Sequence, residues 1–431
     1  MTVQLTKLTK IIGIHNWIRT NLTHRVFHLF LNAMRQKAAV IYANIRRLFG
    51  IFSANHYICG MRRTKGHSVY IWQREDWPNF RWNAEALLEP MGRVREMHGL
   101  LNGKMSMLGF NEKNRTSLSA MTDELISSSE IEGVQLNHKS VRSSIARRLG
   151  IEDDGLLAQD HYVEGLVDVM LDAVHNCRKP LTDERLFGWH AALFPTGRSG
   201  MHRITVGDWR NGEEPMQVIS GAFGHEKVHY EAPATSDVPA EMDRLINWCN
   251  NTELSPIIMA PVAHLWFVTI HPFDDGNGRI SRIIADMLLA RLDVDVARYY
   301  SMSAEINRNK KAYYEILEKT QKGNLDITEW ILWFFDCLER AIERSHDIIG
   351  RISGKVGFWD KFREVEINER QRKVINRLWD GFEGKLTSSK WAKICHCSQD
   401  TALRDINDLI SKGMLRDSGE GGRSVNYLLT E

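Results

Sequence analysis

The sequence predicts a mainly α-helical protein, with one β-hairpin inserted among the helices and a winged helix-turn-helix at the C-terminal end. Apolar residues recur every three or four positions over long stretches, which is the period of an amphipathic helix. Residues 197–233 are instead rich in glycine and proline and alternate polar with apolar side chains. A chain of 431 residues suggests two or three domains. Its 43% hydrophobic and 26% charged content is typical of soluble globular proteins.

Charge divides the chain unevenly. Residues 1–65 contain eleven Lys and Arg and no Asp or Glu, whereas the remainder carries a net charge of −9. We therefore expect the first part to differ chemically from the folded body. The predicted division is a basic extension over 1–66, an N-terminal helical region over 67–180, a central domain over 181–350 and a winged helix domain over 366–431.

The basic extension has three interpretations that stay open. Its apolar stretches are short and interrupted, so it is not predicted to span a membrane, and it lacks the layout of a secretory signal. It is an amphipathic helix on an anionic membrane, an organellar presequence, or sequence outside the folded protein. We favour the third, because structured-looking sequence begins only at Tyr70, and Met61 is a sensible alternative start.

The six cysteines form neither a disulfide framework nor a zinc-binding pattern. Only Cys395 and Cys397 lie close together, and no second ligand pair accompanies them. Scattered free thiols fit a reducing compartment, so we expect a cytoplasmic protein.

Helices are predicted on both sides of the hairpin. Capping residues such as Thr182 and stop signals such as Gly133 and Pro180 give their bounds. The helices predicted before the hairpin cover 83–110, 118–133, 137–148, 159–177 and 182–193. Those predicted after it cover 238–252, 255–270, 280–292, 303–322 and 326–346.

Two segments contain strands. Residues 216–220 and 227–230 alternate around a glycine-rich turn, which predicts the hairpin. Near the C-terminus, three short helices precede two strands that flank a second glycine-rich turn, the pattern of a winged helix-turn-helix. Those helices are predicted over 369–382, 388–395 and 398–412, and the strands over 414–415 and 425–428.

Residues 271–282 read HPFDDGNGRISR and predict a loop that leads into a new helix. Gly276 and Gly278 allow the backbone to approach an anion closely, and the N–H groups of the helix start point towards it. Arg279 and Arg282 are three residues apart, so they share one helical face and can bind phosphate oxygens.

Two further groups in this loop supply chemistry. Asp275 is a natural Mg²⁺ ligand, because Mg²⁺ combines a few carboxylates with phosphate oxygens. His271 has an ordinary pKa of about 6.5 and is the candidate general base. A base, a metal ligand and a phosphate cradle within twelve residues indicate phosphoryl or nucleotidyl transfer. The alternative is a surface loop whose Asp and Arg side chains pair with each other.

This stretch resembles the Fic family signature HPFx[DE]GNGRxxR at every specified position. The resemblance implies a Fic helical domain and a protein adenylyltransferase, which moves AMP from ATP onto a Tyr, Ser or Thr hydroxyl of a target protein. It implies that His271 removes the hydroxyl proton and that Asp275 holds Mg²⁺. It also implies nucleotide binding by Phe273, Asp274, Gly276, Asn277, Gly278, Arg279 and Arg282. Phe273 is expected in addition to anchor the loop in the core.

In this family a β-hairpin flap precedes the motif and aligns the target segment by strand addition. The predicted hairpin occupies that place, which implies that Ile219, Ser220 and Gly221 approach the nucleotide. A plain surface hairpin is the alternative. Tyr313 and Tyr314 resemble the family's aromatic pair near the adenine, although helix aromatics of this kind also fit a core position.

Residues 128–133 read SSEIEG and match the family's inhibitory pattern [ST]xxxE[GN], at Ser128, Glu132 and Gly133. The resemblance implies that a helix delivers Glu132 to Arg282. The ion pair then makes Arg282 unavailable to the γ-phosphate of ATP, and the nucleotide is misplaced for attack. The alternative is an ordinary helix terminus with Gly133 as its cap.

The partners are less clearly indicated. In a winged helix the third helix contacts DNA, but here residues 398–412 carry three acidic residues, which weakens that interpretation. A protein contact or a homodimer is an equal alternative, and the target protein is unknown. Three other functions stay open: removal of AMP, use of another nucleotide donor, and a DNA-binding regulator that senses nucleotide. The presence of His271 argues against the last, because sensing needs no base.

Overall fold

The computed structural model describes residues 70–151, 160–214, 216–220, 227–293, 298–379, 382, 384–419 and 425–430. Within them the chain is mainly helical, which confirms the predicted class. The predictions for the basic extension, for Gly221 and for the Ser220 side chain lie outside the described residues. No helix in the described ranges has the length and apolar character that crossing a bilayer would require.

The described helices, in chain order, are α1 (Ala84–Ser106), α2 (Phe110–Ile131), α3 (His138–Leu149), α4 (His161–His175), α5 (Asp183–Leu193), α6 (Val238–Asn251), α7 (Pro256–Ile270), α8 (Asn277–Ala290), α9 (Met302–Arg308), α10 (Lys310–Gln321), α11 (Thr328–Lys361), α12 (Glu369–Trp379), α13 (Ser388–Cys395) and α14 (Gln399–Ser411). The connection between α5 and α6 is long and contains the first four described strands.

The strands form antiparallel two-stranded sheets. They are β1 (Arg198–Ser199) with β2 (His202–Arg203), β3 (Gln217–Ser220) with β4 (Lys227–Glu231), and β5 (Leu415–Asp417) with β6 (Tyr427–Leu429). The β3–β4 pair is the predicted hairpin, and its register shifts between Val218 and Ile219. The β1–β2 pair was not predicted, because two-residue strands leave no alternation to detect.

Three helix boundaries differ from the prediction. Helix α2 starts at Phe110 instead of residue 118, and its first turns are largely exposed, so they carry no apolar stripe. The predicted helix over 303–322 is two helices, because Asn309 leaves helical geometry at φ −118° and ψ 34°. Helix α11 continues to Lys361 through three glycines that lower helix propensity.

Helix α7 lies at the centre of the molecule. Every residue from Ile257 to Ile270 is buried, and the helix contains no charged residue, as expected for a helix surrounded by protein. Helix α8 packs along it, and the two are joined by the loop that contains the predicted motif. The motif therefore stands at the end of the most deeply buried element.

Buried apolar side chains form two separate clusters. The larger extends from Ile71 to Ile349. The smaller contains Phe358 at the end of α11 and continues through Trp391 to Tyr427. The C-terminal residues thus form three helices followed by a two-stranded sheet around their own core. Their identity as a winged helix-turn-helix, and the domain division, stay predictions.

Candidate active site

The backbone at the end of α7 is held in an uncommon shape. His271 is the C-cap of α7 and has a left-handed backbone, with φ 54°. Arg210 fixes this geometry, because its Nε donates to the His271 carbonyl at 2.9 Å and its main-chain N donates to the Pro272 carbonyl at 2.9 Å. The remaining guanidinium nitrogens of Arg210 bind Thr235 Oγ1 and the Pro233 carbonyl. The buried Arg210 side chain thus ties the loop to the segment that follows the β3–β4 hairpin.

The His271 ring is oriented as a base requires. Its Nδ1 lies 3.1 Å from the Val268 carbonyl oxygen, which can only accept a hydrogen bond. Nδ1 therefore carries the proton and Nε2 has the free lone pair. Burial lowers the pKa of His271 to about 4, with Arg210 acting in the same direction. The imidazole is consequently neutral near pH 7, the state in which it can accept a proton.

Two motif residues shape the loop from within. Asn277 accepts a hydrogen bond from the Phe273 amide at 3.0 Å and donates to the Phe273 carbonyl at 2.8 Å. The Phe273 ring is fully buried and stacks on His190, with centroids 4.1 Å apart. Phe273 therefore anchors the loop in the core and the Asn277 side chain closes the loop, while nucleotide binding by these two residues stays a prediction.

The two acids of the loop are held differently. Asp274 accepts a hydrogen bond from the Thr205 amide at 2.8 Å, so its carboxylate fastens the loop to the segment after β2. The carboxylate of Asp275 accepts from the Gly276 amide at 2.6 Å and from the Ser199 hydroxyl. No group of three or more His, Cys, Asp or Glu side chains in the described residues could hold a metal. A single carboxylate beside a phosphate cradle fits Mg²⁺ that arrives with a nucleotide.

The start of α8 requires glycine at two positions. Gly276 has φ 83°, and a Cβ there would lie 2.8 Å from the Phe194 ring. A Cβ on Gly278 would overlap the Glu132 carboxylate. Arg279 is buried, lies 4.8 Å above the Phe194 ring and donates to Tyr162 Oη at 3.2 Å. The Glu132 carboxylate therefore lies against the backbone of Gly278 at this helix start.

Helix α2 brings Ser128 and Glu132 onto Arg282. Arg282 Nη2 lies 2.7 Å from Glu132 Oε1 and 2.9 Å from the Ser128 carbonyl, and its Nε donates to Ser128 Oγ at 3.0 Å. Burial alone would lower the pKa of Arg282, but the Glu132 carboxylate raises it above the usual value. Glu132 caps the helix, and Gly133 follows with φ 79°.

The predicted aromatic pair is split between two environments. Tyr313 is 1% exposed, and its hydroxyl lies 2.9 Å from Nε2 of the buried His264. Tyr314 is 41% exposed and donates to the Ile131 carbonyl at 3.4 Å. Tyr313 is therefore buried in the core, which was one of the two positions that the sequence left open, and its contact with the adenine stays a prediction. Tyr314 contacts the end of α2.

The β3–β4 hairpin keeps apolar side chains in solvent. Ile219 is 55% exposed and Val218 is 38% exposed. The hairpin is attached to α10 by His229, whose Nδ1 lies 2.8 Å from Glu318 Oε2. The contacts of the described residues do not join Ile219 to the loop, so its nucleotide contact stays a prediction.

Three residues of the site escaped the sequence analysis: Arg210, His190 and Ser199. Arg210 precedes its partner His271 by 61 residues in the sequence. His190 and Ser199 precede their partner Asp275 by 85 and 76 residues. None lies in a recognisable spacing, because their partners in the loop are distant in the sequence.

Comparison with known proteins gives two family matches. Residues 180–289 match the model of the Fic/DOC family. Residues 70–151 match a domain of unknown function, DUF4172.

The similar curated proteins share one description. Protein adenylyltransferase Fic of Drosophila willistoni is 30% identical over 149 residues, which are 33% of this chain and 27% of that protein. Its counterpart in Culex quinquefasciatus is 32% identical over 132 residues, which are 29% of this chain and 25% of that protein. The matched part is thus only about a quarter of the length of these relatives.

Solved structures show similarity over more of the chain. A Fic family protein from Desulfovibrio desulfuricans G20 is 19% identical with a TM-score of 0.47, over 81% of this chain and 97% of that one. Fic-1 from C. elegans is 18% identical with a TM-score of 0.41, over 62% of this chain and 74% of that one. The family match covers α5 to α8 and contains the loop with His271, Asp275 and Arg282. The loop with the candidate base therefore lies within the segment that is similar to the Fic/DOC family.

Proposed function

We propose that this chain transfers AMP from ATP to a Tyr, Ser or Thr hydroxyl of a target protein, and that Glu132 keeps the enzyme inhibited. The observation that carries the proposal is the His271 ring, with Nδ1 bound to the Val268 carbonyl and Nε2 left as a neutral base. It stands in one loop with Asp275 and the glycine-rich start of α8. The relatives named protein adenylyltransferase support the same reaction.

The reaction follows from these groups. The hydroxyl oxygen of the target attacks the α-phosphorus of ATP, and its proton passes to His271 Nε2. A bond forms between that oxygen and the α-phosphorus, and the bond from the α-phosphorus to pyrophosphate breaks. Backbone N–H groups at the start of α8 face the phosphates, where the helix dipole favours negative charge. No group on the enzyme is consumed, because the His271 proton is returned to solvent.

Asp275 would hold Mg²⁺ on the phosphates. When bound, the ion neutralises phosphate charge that develops as pyrophosphate leaves. The chain itself keeps the carboxylate in place through the Gly276 amide and the Ser199 hydroxyl. Each carboxylate oxygen has two lone pairs, so these hydrogen bonds leave room for a metal.

Inhibition follows from competition for Arg282. Glu132 occupies Nη2 of that arginine and covers Gly278, where an anion would otherwise approach. A phosphate has to displace the carboxylate, or bind beside it in a position unsuitable for attack. A shift of about 1 Å in a reacting group can cost on the order of a hundredfold in rate.

The test compares wild type, Glu132→Gly and the double variant Glu132→Gly/His271→Ala with Mg²⁺ and ATP labelled at the α-phosphate. Weak label on wild type, strong label on Glu132→Gly and no label on Glu132→Gly/His271→Ala are expected. Matched label on wild type and Glu132→Gly would remove the inhibitory role. Absence of label from all variants, with nucleotide binding intact, would favour AMP removal or another nucleotide donor.

A second candidate function is DNA binding by the C-terminal module, which is the predicted winged helix domain over 366–431. Two of the three acidic residues of α14 that weakened this interpretation form ion pairs within the protein. Asp405 is 5% exposed and pairs with Arg370 at 2.8 Å, and Asp408 pairs with Lys412 at 2.6 Å. Helix α14 then presents Arg404 to solvent, and Lys393 of α13 is also exposed. These cations favour contact with phosphates.

A further inference from the structure

We propose that His190 is a positioning residue of this site: through its Nε2–H tautomer it holds the main chain of Asp275, and thereby the carboxylate that would bind Mg²⁺. The effect of His190 on catalysis rests on the proposed function. The positioning itself is independent of that function, because it depends only on contacts among His190, Gly207, Phe273 and Asp275.

The hydrogen bonds of the ring define its tautomer. The Gly207 amide can only donate, and it lies 3.3 Å from Nδ1 of His190. Nδ1 must therefore accept and carry no proton. Nε2 lies 3.1 Å from the Asp275 carbonyl oxygen, which can only accept, so Nε2 carries the proton. His190 thus has the opposite tautomer to His271, whose Nδ1 donates to a carbonyl.

Packing fixes the plane of the ring. His190 is fully buried and lies parallel to Phe273, with centroids 4.1 Å apart and planes 5° apart. Phe194, four residues later, is a second aromatic neighbour of the ring, with centroids 5.1 Å apart and planes tilted by 54°. A ring held by two aromatic neighbours and two hydrogen bonds has no freedom to rotate, so its Nε2–H direction is constant.

The position of His190 connects a rigid element to the loop. It lies in α5, whereas Asp275 follows α7 and Gly207 follows β2. Its bond to the Asp275 carbonyl fixes the peptide plane between Asp275 and Gly276, which is the same peptide whose N–H donates to Asp275 Oδ1. Rotation of this peptide would move the carboxylate. Groups that orient a metal ligand in this way alter metal affinity by about ten- to a hundredfold when they are replaced.

Substitutions can separate the two hydrogen bonds. In His190→Gln, the amide nitrogen can reproduce the Nε2–H donor to Asp275, while the Gly207 acceptor is lost. In His190→Asn, the amide oxygen can reproduce the Nδ1 acceptor, while the donor to Asp275 is lost. His190→Phe keeps the aromatic stack and removes both bonds. A purely structural role predicts that Gln and Asn behave alike.

The three substitutions are made in the Glu132→Gly background, in which the site is not covered by Glu132. Affinity for a fluorescent ATP analogue is measured with and without Mg²⁺, together with the Mg²⁺ concentration for half-maximal AMP transfer. We expect the Asn and Phe variants to need about tenfold more Mg²⁺, the Gln variant to stay near the parent, and metal-free affinity to stay constant. Equal behaviour of Gln and Asn would overturn the proposal. If the parent transfers no AMP, the proposed function fails, while the Mg²⁺-dependent affinities still test His190.

A second measurement determines the tautomer of His190 in the unsubstituted protein. Nitrogen-15 NMR of the histidine-labelled full chain distinguishes a ring protonated at Nε2 from one protonated at Nδ1, with His190→Gln used only to assign the signal. A neutral His190 protonated at Nε2 is expected. A proton on Nδ1 would contradict the hydrogen-bond geometry on which the proposal depends.

Discussion

Glu132 and Arg282 form an ion pair in which one partner is buried and the other is not. The side chain of Arg282 is 2% exposed, whereas that of Glu132 is 30% exposed, with 2.7 Å between Nη2 and Oε1. Arg282 belongs to α8 in the core, and Glu132 is the C-cap residue of α2. The pair can therefore open by movement of Glu132 alone, without disturbing the core around α8.

Ser128 is the second contact that holds this arginine, and its loss should release inhibition in part. Ser128→Ala removes the Oγ acceptor of Arg282 Nε but keeps the carbonyl contact. A hydrogen bond to a charged group contributes about 1.5–3 kcal/mol, so AMP transfer should rise by about tenfold, less than in Glu132→Gly. Transfer of label from α-labelled ATP measures the change.

Ser127→Ala is the matched control, since it removes the same hydroxyl from the adjacent position of α2. Its activity should equal that of wild type. A rise in Ser127→Ala as large as in Ser128→Ala would show that helix stability, rather than the bond to Arg282, controls the activity.

The loop was predictable from sequence because its parts are contiguous. The general base, the acid, the glycines and the two arginines lie within twelve residues, and the chain geometry alone brings them to one helix start. The contact from Glu132 to Arg282 was expected only through the family resemblance. Spacing carries no information about residues that are 150 positions apart.

The supporting residues were not predictable for the same reason. Arg210 and His190 are single polar residues in stretches without a pattern. Packing of α5 against α8 places His190 at the loop, and long-range hydrogen bonds hold Arg210 there. The position of Tyr313 was left open, because a helical aromatic has the same sequence signature in a core as in a binding surface. Its burial against His264 is a property of three packed helices.

The pH dependence of AMP transfer should reflect the low pKa of His271. Burial lowers that pKa from 6.5 to about 4, so the neutral base persists as the pH falls below 6.5 and is lost only near 4. The Glu132 charge raises this pKa, so its removal cannot bring the value closer to neutrality. Single-turnover transfer by Glu132→Gly should therefore remain near its maximum at about pH 5.5.

Nucleotide affinity measured at each pH serves as the control, because ATP itself becomes protonated in this range. Once transfer is corrected for bound nucleotide, a half-maximal point near 6.5 would show that His271 is solvated in solution. That result would contradict the buried environment of the base.

Arg210 should control the position of the base rather than nucleotide binding. Its guanidinium links the His271 carbonyl to the Pro233 carbonyl after the hairpin. Arg210→Lys retains the charge but cannot reproduce the fork, so His271 should lose its fixed left-handed backbone. In the Glu132→Gly background, AMP transfer should fall by about a hundredfold with unchanged ATP affinity.

Arg203→Lys provides a control in the same segment, since Arg203 is exposed in β2. It should transfer AMP at the parent rate. If Arg210→Lys loses ATP affinity to the same extent as activity, Arg210 acts on the whole loop and not on the base.

The C-terminal module offers the last test, which concerns DNA. Asp405 is buried against Arg370 and the part-exposed Asp408 is paired with Lys412, so the exposed charges of α13 and α14 include Lys393, Arg404 and Asp400. Phosphate contacts weaken steeply with salt, so binding should be sought by gel shift with a random-sequence duplex at low salt.

The double variant Lys393→Glu/Arg404→Glu should bind at least about tenfold more weakly than wild type and with a smaller dependence on salt. Arg377→Glu, which reverses an exposed charge on α12, should bind as wild type does. An equal loss in both variants would indicate attraction by net charge alone, and absence of binding by wild type would exclude DNA as the partner of this surface under these conditions.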